Sequence, residues 1–376
     1  MTPLPPPRLV QTDSAQRALI DALGDEERVA VDTEFHAERR YSPELMLIQI
    51  ATASGASWVV DPLATDVGPL AKALADKTLL VHSGQVDLRL LSDEADTPMT
   101  AAIDVQIAGG MLGLGYPTRL DALVEAMLGR GLDKGSTLSN WAARPLKPEQ
   151  IAYAVADAQV LFPLAEAMAE RLTPEGHWAW VQEESAAMAA RAVQGPQVEH
   201  RWARWDIAPR LDPTTQGVLA VLTHWRDQHG RDKNQPPHFI LSDGLCLDIA
   251  RRKPRTVAAL TENRRIPQGL VRRLGQSIVD VVGWALENEP ERPFVPSTQE
   301  QAQAKALELW AQALGGTLDI APSLLLPDNM AAEIAHSGPG ILKGWRAQAM
   351  GAQLEAFLAG QTALFYGPDG ATLRAP

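Results

Sequence analysis

The sequence contains a single cysteine, Cys246, in 376 residues. One thiol excludes an internal disulfide framework and any cysteine-based zinc site, and it fits a reducing compartment. The N-terminal segment MTPLPPPRLVQTD lacks the charged-then-apolar pattern of a secretion signal, and no stretch approaches a membrane span. We therefore expect a cytoplasmic protein that does not contact a membrane.

Several catalytic motifs are also missing. No glycine-rich loop ends in Gly-Lys-Ser/Thr, so ATP-driven work is not expected. The eight histidines form no HExxH zinc pair, and no Gly-x-Ser-x-Gly nucleophile elbow occurs. The net charge of −12 provides no general attraction for a polyanion, although binding depends on local patches and not on the average. The remaining candidates for chemistry are carboxylates.

Two short motifs in the first half of the chain each place an acid close in sequence to a second polar side chain. Asp32 and Glu34 lie two residues apart in an apolar, strand-like run over 28–35, so their side chains share a face. Acids in such surroundings are costly unless they bind something. Asp157 follows Tyr153 by four residues on a predicted helix, which also places both on one face.

Asp87, in VHSGQVDL, completes the set of four acids. By itself Asp87 is typical of an acid in the first turn of a helix, and Tyr153 by itself is typical of a half-buried helical aromatic. Oxygen-only ligands suit Mg²⁺ or Mn²⁺ and not zinc. The four acids together therefore indicate metal-assisted hydrolysis of a phosphodiester.

The pattern along the chain predicts two or three domains, as the length also suggests. RVAVDTEF, LMLIQIAT, SWVVDPL and TLLVHS are predicted strands. Predicted helices follow over 85–91, 106–112 and 119–128, and a single long helical run begins at Pro148 and reaches 172. This order predicts a mixed sheet with helices on its faces.

The second half of the chain is predicted to be helical. Residues 211–287 form a block of short amphipathic helices, the Pro-rich segment NEPERPFVPS is a linker, and a second helical block covers 299–364. The predicted domains are 1–205, 211–290 and 297–366.

One segment of this acidic chain is strongly basic. Between 251 and 273, eight cations face only Glu262. They are Arg251, Arg252, Lys253, Arg255, Arg264, Arg265, Arg272 and Arg273. A solvated, arginine-rich helix surface is one interpretation, but next to a phosphodiesterase-like site nucleic-acid contact is the better one.

The motifs DTEF, HSGQVDL and YAVAD, in this order, resemble the three exonuclease motifs of the DEDD nucleases. The tyrosine four residues before the last aspartate is a mark of the DEDDy branch. The segment NWAARPL (140–146) is similar to the bacterial ribonuclease D family, HWRDQHGRDKNQPPHF resembles an HRDC module, and the last helical block resembles a second one. The resemblance implies a ribonuclease H-like α/β exonuclease domain followed by two all-α HRDC-like domains.

The resemblance also implies a mechanism with two divalent ions, Mg²⁺ or Mn²⁺. Asp32, Glu34 and Asp157 would hold one ion, and Asp32 would help to bridge to the second. Asp87 would complete the site through water, and Tyr153 would position the attacking water. Without cations the acids should repel one another and raise at least one pKa. The implied reaction releases 5′-mononucleotides from the 3′ end of RNA, with tRNA precursors as the expected substrates.

Further residues are candidates for substrate contact. Phe35 and His36 could stack on the terminal nucleotide, with core packing as the alternative for Phe35. His82 could line the substrate channel or play a structural role at the strand end. By resemblance to a family loop, Lys134 could contact a phosphate and Trp141 could be a hydrophobic anchor. Arg251, Arg252, Arg264 and Arg265 are the candidates for RNA contact in the basic segment.

Two other functions remain open from the sequence. One is a DNA-directed 3′-to-5′ exonuclease of the same superfamily, and the other is a non-catalytic nucleic-acid-binding protein on a nuclease fold. The presence of all four acids and of Tyr153 speaks against the second. Self-contained modules make a monomer the simpler expectation.

Overall fold

A computed structural model describes residues 5–132, 140–194, 201–203, 205–367 and 370–375 of the chain. The strands are β1 (Arg8–Val10), β2 (Arg28–His36), β3 (Glu44–Ala51), β4 (Ser57–Val60), β5 (Thr78–Val81), β6 (Ala102–Asp104), β7 (Ala363–Gly367) and β8 (Gly370–Arg374). The helices of the first half are α1 (Asp13–Ala22), α2 (Gly68–Ala75), α3 (Gln85–Ala95), α4 (Val105–Met111), α5 (Leu120–Leu128), α6 (Pro148–Gln159), α7 (Leu161–Leu172) and α8 (His177–Gln194).

The second half of the chain is largely helical. Its helices are α9 (Pro213–Asp232), α10 (Pro237–Ile240), α11 (Asp243–Arg252), α12 (Val257–Thr261), α13 (Gln268–Asn288), α14 (Thr298–Leu318), α15 (Pro322–Leu325), α16 (Met330–Ser337) and α17 (Gly344–Leu358). Short 3₁₀ helices occur at Ala208–Arg210 and Pro339–Ile341. The predicted succession of an α/β domain and helical blocks is confirmed.

The large sheet has six strands in the order β1-β4-β3-β2-β5-β6. β4 pairs parallel to β1 and antiparallel to β3, while β5 pairs parallel to both β2 and β6. The predicted mixed sheet is therefore confirmed. β2 occupies the middle of the sheet, with paired strands on both sides, and this position gives its acids a rigid support.

Both faces of the sheet are covered, which explains why β3 and β4 are buried along almost their whole length instead of alternating. Seven of the eight residues of β3 are buried, and so are all four of β4. α6 packs on β2 and β4, and α3, α4, α7 and α8 contribute buried side chains to the larger core. β1 and β6 were not predicted, because three residues are too few to show a period.

The predicted helical run over 148–172 is divided into α6 and α7 at Val160. Pro163 explains the break, because it has no N–H to donate to the carbonyl of Gln159 and its ring crowds the preceding turn. By length and composition alone this stretch passes as a possible membrane-spanning helix, contrary to the expectation from sequence. Half of its apolar window is buried inside the fold, however, as in the core helix of a globular domain.

The chain divides into two compact units. The first comprises Met1–His36, Leu45–Gly195 and Glu300–Pro376, and the second comprises Ala37–Glu44 and Pro196–Gln299. The second unit has its own core, built around side chains such as Trp202, Leu219 and Ile278.

The last helical block, 300–358, lies in the first unit and shares one hydrophobic core with the exonuclease domain. Glu184 of α8 is central to this packing, since it is only 4% exposed. It accepts hydrogen bonds from Trp345 Nε1 (2.9 Å) and Arg346 Nη1 (2.7 Å) on α17 and from Arg191 Nη2 (3.0 Å). The predicted boundaries at 205, 211, 290 and 297 stay a prediction.

The C-terminal segment differs from expectation. The helical block was predicted to reach 364, but α17 ends at Leu358 and β7 and β8 form an antiparallel hairpin with Ala363 opposite Arg374. The strands of this segment are short, and the helical pattern of the preceding residues was extended into them in the prediction.

Candidate active site

β2 carries the first two acids of the site. Asp32, in the middle of this central strand, and Glu34, two residues nearer its end, are half-buried, and their spacing places both carboxylates on one face of the sheet. Asp32 keeps some accessible surface. Thr33, between them, points to the other face and is buried, 6% exposed.

Asp87 is placed by a tight turn from β5 into α3. Gly84 caps α3, and a Cβ at this position would clash with Val81, so only glycine allows the turn. The backbone N–H groups of Ser83 and Gly84 donate to the Asp104 carboxylate at 3.0 and 3.1 Å. Asp87 is thereby held in the first turn of α3, buried at 7% exposure.

α6 carries the tyrosine and the last acid. The helix starts with Pro148 in its first turn, and the Gln150 side chain accepts from the backbone N–H of Lys147 at 3.0 Å. Tyr153 and Asp157 are one turn apart and half-buried. The Tyr153 side chain lowers the pKa of the Asp157 carboxyl, against the larger opposing effect of burial.

The four carboxylates influence one another's ionisation. Burial, followed by the charges of Asp87, Asp157 and Glu34, raises the pKa of Asp32 well above its usual range. Burial and the neighbouring acids raise the pKa of Glu34 to about 8. Burial also raises the pKa of Asp87 and of Asp157 to about 6, against the hydrogen bonds from Thr33 and Tyr153 respectively. The predicted repulsion is therefore present in the structure.

The four carboxylates are close enough to affect pKa values, but this does not mean that they are placed to bind a metal ion. Among the residues that the structure describes, no three acidic, histidine or cysteine side chains are close enough to hold an ion as they stand. The two observations are compatible, because charges act over longer distances than metal–ligand bonds. Like charges keep the acids apart, and a cation would remove that repulsion.

We expect the stability of the metal-free protein to fall as the pH rises from about 5 to 8. The pKa values of these acids are higher in the folded than in the unfolded protein, so the folded form binds more protons at acidic pH. The stability that these protons contribute is lost as the pH rises through about 6 to 8. Magnesium should therefore raise the thermal midpoint more at pH 8 than at pH 5. Thermal unfolding in chelator and in Mg²⁺ at both pH values measures this, and an equal shift would contradict it.

The other predicted contacts in the first unit have mixed surroundings. Phe35 is partly buried and packs against the main core, which favours the core-packing alternative, whereas His36 is half-buried at the end of β2. His82 Nε2 is 2.8 Å from the Thr118 carbonyl, which favours a structural role. Trp141 is 4% exposed with its ring centroid 6.4 Å from that of Tyr153, as expected of a hydrophobic anchor. Lys134 lies outside the described residues.

The basic residues of the second unit lie around α11, α12 and α13. Arg251, Arg252, Arg264 and Arg265 are all exposed, and Arg252 pairs with Asp248 at 3.3 Å. An exposed pair of this kind is weak and can exchange partners at little cost.

Two residues that support the acids were not found from the sequence. Thr33 donates its hydroxyl to Asp87, which lies 54 residues away. Asp104, 3% exposed, holds the turn before α3 and also caps α4 by accepting from the Gln106 N–H at 2.8 Å. Thr33 stands inside the DTEF motif, so its position alone could have marked it. Asp104 has a local signal for capping α4, but no local pattern shows that it also holds the turn before α3.

Comparisons with known proteins show the family of the chain and its fold. A family described as 3′-5′ exonuclease matches residues 7–173, and the HRDC domain family matches 215–282. Ribonuclease D of Acidiphilium cryptum is 30% identical, over 96% of this chain and 95% of that protein. Ribonuclease D of Gluconacetobacter diazotrophicus is 31% identical, over 98% and 97%. The crystal structure of Escherichia coli RNase D, an exoribonuclease involved in structured RNA processing, shares the fold with a TM-score of 0.80 at 24% identity, over 94% of this chain and 98% of that one.

Proposed function

The chain belongs to the ribonuclease D family of 3′-to-5′ exoribonucleases, and on that premise we propose that it releases 5′-mononucleotides with the help of divalent metal ions. Its substrates in this proposal are 3′ extensions of tRNA precursors and other small structured RNAs. The observation that carries the proposal is the mutual influence of four carboxylates from β2, α3 and α6, which are distant in sequence.

The donor set fits two magnesium or manganese ions. All the candidate ligands are carboxylate oxygens, which hard cations prefer. Asp32, Glu34 and Asp157 would hold one ion, and Asp32 would be shared with the second. When bound, such ions neutralise the charge that develops on the scissile phosphate and its leaving oxygen.

Tyr153 supplies orientation in this proposal. A phenol with a pKa near 10 is a poor base at neutral pH. Tyr153 lies one helical turn before Asp157 and is half-buried like it, so a water held beside that carboxylate would be within reach of the phenolic oxygen. In this proposal the phenol orients the attacking water by a hydrogen bond.

Asp87 has a more indirect role than the other acids. One of its carboxylate oxygens already accepts the Thr33 hydroxyl, and the residue is the most buried of the four. Fewer lone pairs are left for direct coordination. This supports the expectation that Asp87 completes the site through water.

The basic residues of the second unit would bind the RNA backbone. Arg251, Arg255, Arg264, Arg272 and Arg273 are exposed, and no ion pair is seen for them within the described part of the chain. Unpaired cations can release phosphate counterions on binding, which is the main source of non-specific affinity for nucleic acids. Through such a local surface the protein would bind RNA although its net charge is −12.

We expect replacement of Arg251, Arg252, Arg264 and Arg265 by alanine to weaken RNA binding and flatten its salt dependence. If all four contact phosphates, the slope of log K against log salt should fall by about 3, since each contact contributes roughly 0.7 to 0.9. Filter binding of a tRNA-sized RNA at several salt concentrations measures this slope. Hydrolysis of short oligomers should be unchanged.

A matched control removes four exposed cations of the first unit. Alanine at Arg17, Lys72, Lys305 and Lys343 changes the net charge equally. An equal effect of both quadruple variants on the slope, or equal loss on short and long substrates, would contradict a separate binding surface.

Digestion of a 3′-extended tRNA tests the proposed function. The expected result is stepwise shortening from the 3′ end with 5′-mononucleotides as products in magnesium or manganese, and none in chelator. The DNA strand of the same sequence is digested in parallel. Preference for the DNA would support the DNA-directed alternative, and binding without hydrolysis would support the non-catalytic one.

We also propose that the protein is a cytoplasmic monomer. Burial raises the pKa of the Cys246 thiol to about 12, so this sole thiol is unsuited to forming a disulfide between chains. Light scattering coupled to gel filtration measures the mass, and a dimeric mass would contradict the proposal.

A further inference from the structure

Arg144, in the loop before α6, has all five of its guanidinium N–H groups bonded. Nε and Nη2 donate to the two carboxylate oxygens of Asp61, each at 2.6 Å. Nη1 donates to the carbonyls of Trp141 (2.7 Å) and Ala143 (3.0 Å), and Nη2 also donates to the carbonyl of Met46 on β3 (3.0 Å). Only arginine has five donors in this planar arrangement.

Asp61, the carboxylate that binds Arg144, is itself held in place by further hydrogen bonds. It follows β4, is 1% exposed, and also accepts from Gln11 Nε2 and from the Leu63 N–H, both at 3.1 Å. Burial opposes ionisation, but the hydrogen bonds from Arg144 and Gln11 outweigh it and lower the pKa of Asp61. The carboxylate is therefore charged at neutral pH and ties the loop to the sheet.

The loop held in this way contacts the candidate active site. Trp141, whose carbonyl Arg144 binds, is buried in a cluster with Met46, Leu146 and Val155, and Tyr153 packs against the same cluster. The Trp141 and Tyr153 rings are 6.4 Å apart between centroids and tilted by 30°. Through this contact the loop limits the orientations open to the Tyr153 ring.

We propose that Arg144 is a positioning residue, which with Asp61 fixes the loop 140–146 so that Trp141 holds the Tyr153 ring in place on the face of α6 that also carries Asp157. The inference rests on the proposed function of Tyr153. It adds a residue pair outside the four acids and the tyrosine, and it explains why a fully satisfied guanidinium lies in this loop. A misplacement of about 1 Å at a reacting group can cost about 100-fold in rate.

The test is Arg144→Lys, which keeps a positive charge near Asp61 but cannot make five bonds. On a short 3′-labelled RNA in Mg²⁺, we expect kcat to fall between about 10- and 100-fold while KM changes less than about threefold. Combined with Tyr153→Phe, the double variant should be no slower than Tyr153→Phe alone within about twofold, because both changes act on one group. Arg119→Lys, at an exposed arginine of the same unit, should change nothing.

A second variant covers the case in which Arg144→Lys does not fold. Asp61→Asn with Arg144→Gln removes both charges, so no buried charge is left unpaired, and it should show the same loss of kcat. Multiplying effects of Arg144→Lys and Tyr153→Phe, or an unchanged kcat in an active enzyme, would overturn the positioning role alone. A wild-type protein that releases no nucleotide would overturn the proposed function and this role with it.

Discussion

Replacing Asp32 by asparagine is expected to reduce magnesium-dependent release of nucleotides from RNA at least about 10³-fold. Asp32 is the acid on which the charges of the other three converge, and in the proposed mechanism both ions depend on it. Metal stabilisation of the developing charge contributes several kcal/mol, and about 4 kcal/mol corresponds to 10³ in rate. Single-turnover hydrolysis of a 3′-labelled RNA measures the effect, and Asp157→Asn should behave similarly.

The same substitution should leave the fold intact. Removing one of four repelling charges is expected to stabilise the metal-free protein at pH 8, and thermal unfolding in chelator will show it. The matched control is Glu94→Gln, which neutralises an exposed acid on α3 and should retain full activity. If Asp32→Asn kept wild-type activity, the assignment of the metal site would be wrong.

Replacing Glu184 by alanine is expected to destabilise the first unit by roughly 3 to 5 kcal/mol. The change leaves the partly buried Arg346 guanidinium without its carboxylate and the buried Trp345 indole N–H without an acceptor. Amide hydrogen exchange in peptides of α8 and α17 should accelerate by between about 10² and 10⁴, since each 1.4 kcal/mol is a factor of ten.

Glu166→Ala, on the exposed face of α7, provides the comparison and should cost less than about 0.5 kcal/mol of stability.

The stability that Glu184 contributes changes with pH in the opposite direction to that of the four acids. Burial opposes ionisation of Glu184, but Arg346 outweighs it and lowers the pKa of Glu184. Its stabilisation is therefore present above about pH 4.5 and lost as the pH falls further. Exchange rates equal to those of Glu166→Ala would refute a stabilising role for the pair.

Much of the fold followed from local patterns. The strands of β2 to β5 and the start of α6 were predicted, because runs of β-branched residues and a proline in a first helical turn leave local signals. β1, β6, the break at Val160 and the C-terminal hairpin were missed. The three missed strand elements are too short to show a clear period, and the break depends on one proline within an otherwise continuous helical pattern.

The sequence could not show how the last helical block is used. Its composition predicts a separate module, yet its helices share a core with the exonuclease domain. An apolar helix face shows that the helix packs against another element, but it does not show which element. The choice is made by contacts such as that between Glu184 and Arg346, 162 residues apart.

The sequence alone determined which of the candidate side chains share a face, because each motif acts within a local repeat. Two residues along a strand place Asp32 and Glu34 on one face, and one helical turn joins Tyr153 to Asp157. Only the tertiary structure decided what surrounds these groups. Thr33 reaches Asp87 across 54 residues, and Arg144 reaches Asp61 across 83. Local periodicity carries no information at such separations, so the raised pKa values and the bonded arginine follow from burial and packing in the folded chain.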